Sequence, residues 1–240
     1  MTDPITIRMG GYGPPTTGFS RALKLIGDTL AAEFGNRIDV KYIWNIMDFG
    51  YRAEDILWLV EDGVLTLGYQ SSSYLTDRVP ALGFVDLPFL FEKRDQARAA
   101  MDGALGRFLG EAIAAIKAGT IDAQENPFAN TVTYGVHKFH RFHTVTNHFY
   151  ISRPIFLHRP AFDGWPQDLQ RAMRAAIERA VEFQRELAIE EDRAARAAIL
   201  AEGCEITELT ADEHAQFRDA VAPLLAEARG TYGQKLFDMI

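Results

Sequence analysis

The sequence predicts an α/β fold with a parallel sheet covered by helices, and three observations predict it. Residues 5–69 alternate strand, helix, strand, helix, strand, the order that lays helices across parallel strands. A long amphipathic stretch follows at Gln167–Glu202. Of 240 residues, 48% are hydrophobic and 24% charged, an ordinary globular balance that supports a core without a metal or disulfide staple.

The elements follow in order. Ile5–Met9 alternates apolar and polar residues and reads as a strand. Gly10-Gly-Tyr-Gly-Pro-Pro15 is a turn-rich loop. Phe19, Leu23, Ile26, Leu30 and Phe34 then recur at helical spacing, with Gly35-Asn36 as the stop. Ile38–Trp44 reads as a second strand, Arg52–Glu61 as a second helix and Val64–Tyr69 as a third strand. Ligands of such sheets sit at the carboxyl ends of the strands, here Gly10–Gly13, Asn45–Gly50 and Gln70–Ser73. Asp95–Ala118 reads as one long helix, although Gly103, Gly106 and Gly110 each weaken it by roughly 1 kcal/mol against alanine. Thr120–Pro127 is a short strand running into a turn, and Thr144–Leu157 is rich enough in β-branched and aromatic residues to read as strand. In Gln167–Glu202 the stripe is Leu169, Met173, Ile177, Val181 and Leu187. Glu205–Leu209 is a last strand, and Thr210 with Glu213 forms a capping box that opens a final helix.

Composition excludes several functions. Lys and Arg number 25 against 33 Asp and Glu, a net charge of −8 without a basic block, so no nucleic-acid partner is expected. Cys204 is the single cysteine, which excludes an internal disulfide and a multi-cysteine metal site. The apolar run Phe84–Phe91 is short and broken by Asp86 and Pro88, so no membrane insertion is expected. The opening residues have neither a basic region nor an apolar core, so no signal peptide is expected.

Few residues suggest chemistry. His137, His140, His143, His148 and His158 cluster, but spacings of three do not bring three imidazoles to one point in a strand, and surface or half-buried roles are favoured over a metal. Gly10–Gly13 before a helix could hold an anion through free amides, although Pro14 and Pro15 remove two donors. No nucleophile elbow is present, so no enzyme activity and no cofactor are expected. Gln124-Glu-Asn-Pro127 offers donors and acceptors suited to orienting a polar ligand, and reads equally as an Asn-Pro turn.

Taken with its surroundings, Gly119-Thr-Ile-Asp-Ala-Gln-Glu-Asn-Pro127 resembles the most recognisable motif of the solute-binding proteins of tripartite ATP-independent periplasmic (TRAP) transporters. The likeness continues through His137–His148 and Trp165–Gln170, and upstream through Glu61-Asp-Gly63, Tyr74 and Asp86-Leu-Pro-Phe-Leu-Phe91. It implies a periplasmic-binding-protein-like α/β fold with Rossmann-like βαβ lobes. It also implies an internal deletion: where Gly110 abuts Glu111, relatives carry a lobe-sized piece of about 80 residues, including the strand whose arginine grips the ligand carboxylate. The second lobe is then incomplete, and the glycine-rich helix is two family helices joined end to end.

The resemblance implies a protein that captures a small organic acid between two lobes, in the periplasm, and delivers it to membrane permease subunits. Expected ligand-binding residues are Gly10 and Tyr12 from the first-strand loop, Gln70 and Ser71 from the third-strand end, and Glu125 and Asn126 from the motif. Arg153, near the crossing strands, is the expected residual basic contact. The expected organisation is residues 1–110 as first lobe with strand 143–158 returning to it, 111–142 as remnant of the second, and 159–240 spanning both. Two alternatives stand beside this reading: a non-functional deletion relic of the family, and a metal enzyme built on the histidines.

Overall fold

The computed structural model of the protein describes residues 3–91, 93–105, 127–133, 136–138, 141–148 and 150–240. These divide into two compact units: residues 1–70 with 155–195, and residues 71–154 with 196–240. The junction expected at Gly110–Glu111 lies outside the described residues.

The first unit is a four-stranded sheet in the order β2-β1-β3-β5. Strands β1 (Ile5–Gly10) and β2 (Ile38–Ile43) run parallel, with Ile5 opposite Ile38. Strand β3 (Leu67–Tyr69) is parallel to β1, and β5 (Ile155–Leu157) is antiparallel to β3, so the sheet is mixed rather than wholly parallel. Helix α1 (Gly18–Phe34) opens on Thr17, whose hydroxyl accepts from Ser20 N, and stops at Gly35 with φ 52°, a backbone region glycine enters freely. Its predicted stripe is buried: Leu23, Ile26, Leu30 and Phe34 join Ile7, Met9 and Leu67 of the sheet in one core. Helix α2 (Ile56–Glu61) follows a 3-10 turn at Ala53–Asp55 and buries Ile56, Leu57, Leu59 and Val60.

The long helix Gln167–Ala201 is present, but its buried stripe is rotated from the expected one. Leu169 and Met173 are buried, followed by Ala172, Ala176 and Ala180, while Ile177 and Phe183 pack at the edge. Alanines let the helix lie close to the core, so the largest side chains sit beside the seam.

The second unit is built differently. Turns at Ser72–Leu75 and Pro80–Phe84 precede helix α3 (Arg94–Asp102) and a short helix α4 (Phe128–Thr133). Strand β4 (Phe142–Val145) pairs in parallel with β6 (Glu205–Glu208). The stretch read as one strand over Thr144–Leu157 is therefore two strands in two sheets. Asn147 at φ 46° turns the chain after β4, and Pro154 precedes β5. A short helix α5 (Arg159–Asp163) leads into the long helix, α6. Helix α7 (Ala211–Tyr232) starts at the predicted capping box, with Thr210 Oγ1 accepting from Glu213 N and Glu213 reaching back to Thr210 N. Phe84 anchors this unit, edge-on to Tyr232 and to Phe237 of helix α8 (Gln234–Phe237). Among the described residues no helix is long and apolar enough to cross a membrane.

Candidate functional site

The strand ends of the first unit gather three of the predicted residues. Gly10 closes β1, and a side chain there would collide with Leu65. A Cβ on Gly11 would stand 2.6 Å from the Tyr69 ring, so this turn accepts only glycine without displacement. Gly11 N donates to Ile43 O at 3.1 Å and Gly13 N to Trp44 O at 3.2 Å, while Tyr12 bridges Asn45. The loop is thus sewn to the end of β2. The Tyr12 ring stands 5.4 Å from that of Tyr69, whose hydroxyl lies 3.3 Å from Ser20 Oγ.

The expectation that free amides of this loop could hold an anion is corrected. Gly11 N and Gly13 N are engaged, and the start of α1 is satisfied from within. Thr17 caps it, and the Glu191 carboxylate of α6 accepts from Gly18 N. Burial pushes the Glu191 carboxyl up from its ordinary value, opposed by Arg21 and the Gly18 amide. The chain fills its own anion site.

Gln70 follows β3 and is fully buried. Its Oε1 accepts from Leu57 N at 2.8 Å, satisfying a donor in the first turn of α2. That bond fixes the amide, and among the described residues Nε2 is left buried with no hydrogen-bond partner. A buried unpaired donor costs about 1–3 kcal/mol, so this nitrogen is poised for an oxygen acceptor.

The second unit holds Ser71 and Arg153. Ser71 is buried, with Oγ 2.7 Å from Ser73 Oγ. Next to it, Ser72 N donates to Ser152 O at 3.1 Å, which places the residue before Arg153 against the turn. Ser72 Oγ lies 3.2 Å from the same carbonyl and 3.4 Å from Asp86 Oδ1. Burial pushes the Asp86 carboxyl up to about 7, against the opposing pull of the Ser72 hydroxyl and the Arg153 charge. Burial also raises the Tyr232 phenol, and the nearby Asp86 raises it further. Ser72, Asp86 and Tyr232 were not among the predicted site residues. An acid inside the apolar run Phe84–Phe91 was the available signal. Glu125 and Asn126 lie outside the described residues.

The histidines disperse. His158 Nδ1 lies 2.7 Å from Val60 O in the first unit. In the second, His137 Nδ1 is 3.3 Å from Thr131 O and His148 Nδ1 is 2.6 Å from Thr146 Oγ1. His140 lies outside the described residues, and among those described no group of three His, Cys, Asp or Glu could hold a metal ion. Cys204 is buried, its thiol donating to His137 O.

Comparison with known proteins places this geometry in context. The family model DctP, bacterial extracellular solute-binding protein family 7, matches residues 12–115 and 109–231. The C4-dicarboxylate-binding periplasmic protein DctP of Rhodobacter capsulatus is 27% identical over 161 residues, which are 67% of this chain and 43% of that protein. A solute-binding protein of Verminephrobacter eiseniae is 23% identical over 281 aligned positions, covering 89% of this chain and 83% of the relative. An alignment of 281 positions exceeds the 240 residues present, so it opens a gap in this chain. The two family-model segments meet at residues 109–115, which bracket Gly110–Glu111. The fold matches solved TRAP solute-binding proteins. One from Shewanella oneidensis with bound succinate has a TM-score of 0.88 at 15% identity, covering 98% of each chain. The sugar-acid-binding protein of Advenella mimigardefordensis with galactonate has a TM-score of 0.87 at 17% identity, covering 100% of this chain and 98% of that one.

Proposed function

Because the chain belongs to family 7 of the bacterial extracellular solute-binding proteins, we propose that it captures a small organic acid for a TRAP-type transporter. The single observation that carries this reading is the family match from residue 12 to residue 231. Relatives of the same fold hold succinate, glucuronate and galacturonate, all carboxylates. The protein acts by binding rather than catalysis, outside the cytoplasmic membrane, and hands its ligand to permease subunits.

The residues divide the work by chemistry. Gly10 keeps the first-strand turn close to the sheet, Tyr12 and Ser71 offer hydroxyls, and Gln70 offers its unpaired Nε2. Arg153 supplies the positive charge that a carboxylate requires. Glu125 and Asn126 complete the polar set by family resemblance. Calorimetric titration with succinate, glucuronate, galacturonate and galactonate tests the reading. One of these acids binds, and Arg153→Gln weakens it tenfold or more. Unchanged affinity in Arg153→Gln removes that residue from the site.

The alignment gap favours one second reading, a scaffold that has lost the segment bearing the family's carboxylate-gripping arginine. Under it no acid of the panel binds this chain, whereas a chain with the relatives' segment restored does bind.

A further inference from the structure

Gln70 is fully buried, and its side chain lies on the face of β3 that α2 covers. Gly68, two residues earlier and so on the same face, would set a Cβ 2.7 Å from Ile56 Cγ2 and 3.3 Å from Val60 Cγ2. At that seam Gln70 Oε1 accepts from Leu57 N at 2.8 Å, which fixes the end of the amide that carries the hydrogens. Nε2 then holds two donor hydrogens beside the buried Ile56 and Leu57, with no acceptor among the described residues. The cations near this seam in sequence are already engaged. In the turn before α2, Arg52 pairs with Glu54 at 3.0 Å and with Asp55 at 3.5 Å, and Arg8 donates to Gly63 O and Val64 O before β3. The enclosed donor is therefore a neutral one. A hydroxyl oxygen brought to Nε2 gains a hydrogen bond and carries no charge out of water. A carboxylate brought there sheds its hydration against a single neutral donor, which costs far more.

We propose that Gln70 is a specificity-determining residue that donates from Nε2 to a hydroxyl oxygen of the ligand, so that the captured acid is a polyhydroxy monocarboxylate of the sugar-acid class rather than a dicarboxylate. The proposal rests on the reading of Gln70 as a ligand contact. The hydroxyl-bearing end of the acid is the part that meets Gln70, and its carboxylate is held by other groups. A ligand with no oxygen at that point leaves Nε2 unpaired, and one with a carboxylate there buries a charge without a counter-charge. Both are rejected, the first by the cost of the orphaned donor and the second by desolvation.

Calorimetry of the whole chain with galactonate, glucuronate, galacturonate, succinate and hexanoate tests it. At least one of the three sugar acids binds about a hundredfold more tightly than succinate and hexanoate do. Monodeoxy forms of the tightest binder then locate the hydroxyl: removing the one that meets Nε2 weakens binding by roughly tenfold to a hundredfold. Gln70→Met, which has neither the donor nor the acceptor, weakens the parent acid by a similar factor and binds that deoxy acid as the wild type does. A purely structural role for Gln70 would weaken every acid alike. The ligand series uses the wild type alone, so it decides the substrate class even where Gln70→Met fails to fold. If succinate or hexanoate binds as tightly as the sugar acids, or Gln70→Met weakens none of the acids or all of them equally, this proposal falls and acid capture stands. If none of the five acids binds, acid capture falls and this proposal with it.

Discussion

The two units bury polar groups of different kinds. In the first, the buried polar side chains among the described residues are Ser20, Thr66 and Gln70, all neutral over the working pH range. They sit against a continuous apolar core that runs from Ile7 through Leu30 to Ala180. In the second, the half-buried Asp86 is ionisable, and aromatic rings meet at the buried Phe84. Phe84 meets Tyr232 and Phe237, while Phe217 and Leu224 of α7 are left largely exposed. The contrast is one of chemistry: the polar groups enclosed by the first unit are neutral, while the second half-buries a carboxyl that burial pushes up to about 7.

The largest effects test the packing side of the comparison. Phe84→Ala removes the ring on which two aromatic neighbours rest and costs about 4 kcal/mol. Leu30→Ala, in the core of the first unit, costs roughly 3 kcal/mol. Urea unfolding followed by circular dichroism measures both. A larger loss in Leu30→Ala than in Phe84→Ala breaks the comparison.

Next in size is the response to pH. The folded state raises the Asp86 carboxyl from its ordinary 3.8 to about 7, so the native protein holds this proton more tightly than the unfolded chain does. Its contribution is therefore fully present below the ordinary carboxylate value and is lost as pH rises toward 7. The loss across that window is on the order of 4 kcal/mol. Asp86→Asn removes the cost and, with it, the attraction between Asp86 and Arg153, so the net gain at pH 8 is about 2 kcal/mol and vanishes near pH 4. Unfolding of both proteins at the two pH values measures the difference. An equal difference at both pH values shows that Asp86 is not the responding group.

Much of the first unit was legible in the sequence, because its elements obey local rules. The stripe Leu23, Ile26, Leu30, Phe34 and the stop at Gly35 describe α1 as it stands. The family likeness was legible for a related reason, since it rests on short contiguous motifs. What escaped depends on contacts distant in sequence. The stretch Thr144–Leu157 has uniform strand propensity, but β4 finds β6 and β5 finds β3, a choice no local pattern encodes. The loop Gly10–Gly13 looked free to hold an anion until Ile43, Trp44 and Glu191 took the nearby donors. Asp86 reads as a break in an apolar run, and its surroundings, Ser72, Arg153 and Tyr232, come from distant parts of the sequence.

The smallest effect compares one helix start from each unit. Thr17 caps α1 by accepting from Ser20 N at 3.3 Å, and its own hydroxyl lies 3.1 Å from Pro14 O. The same helix start receives the Glu191 carboxylate at Gly18 N, so loss of the Thr17 hydroxyl leaves a second acceptor in place. Thr210 caps α7 in a reciprocal box with Glu213, whose carboxyl is held below its ordinary value by the Thr210 amide and hydroxyl. Thr210→Ala removes one side of that box and costs about 1 kcal/mol. Thr17→Ala costs less, roughly 0.5 kcal/mol, because Glu191 still neutralises the helix start. Urea unfolding at pH 7 resolves the two. Because Glu213 accepts in its ionised form and its value is lowered, the Thr210 box contributes above the ordinary carboxylate range and fades as pH falls through it. The cost of Thr210→Ala therefore shrinks in acid. A Thr17→Ala cost equal to that of Thr210→Ala would show that Glu191 does not share the first helix start, and that the first unit has no reserve there.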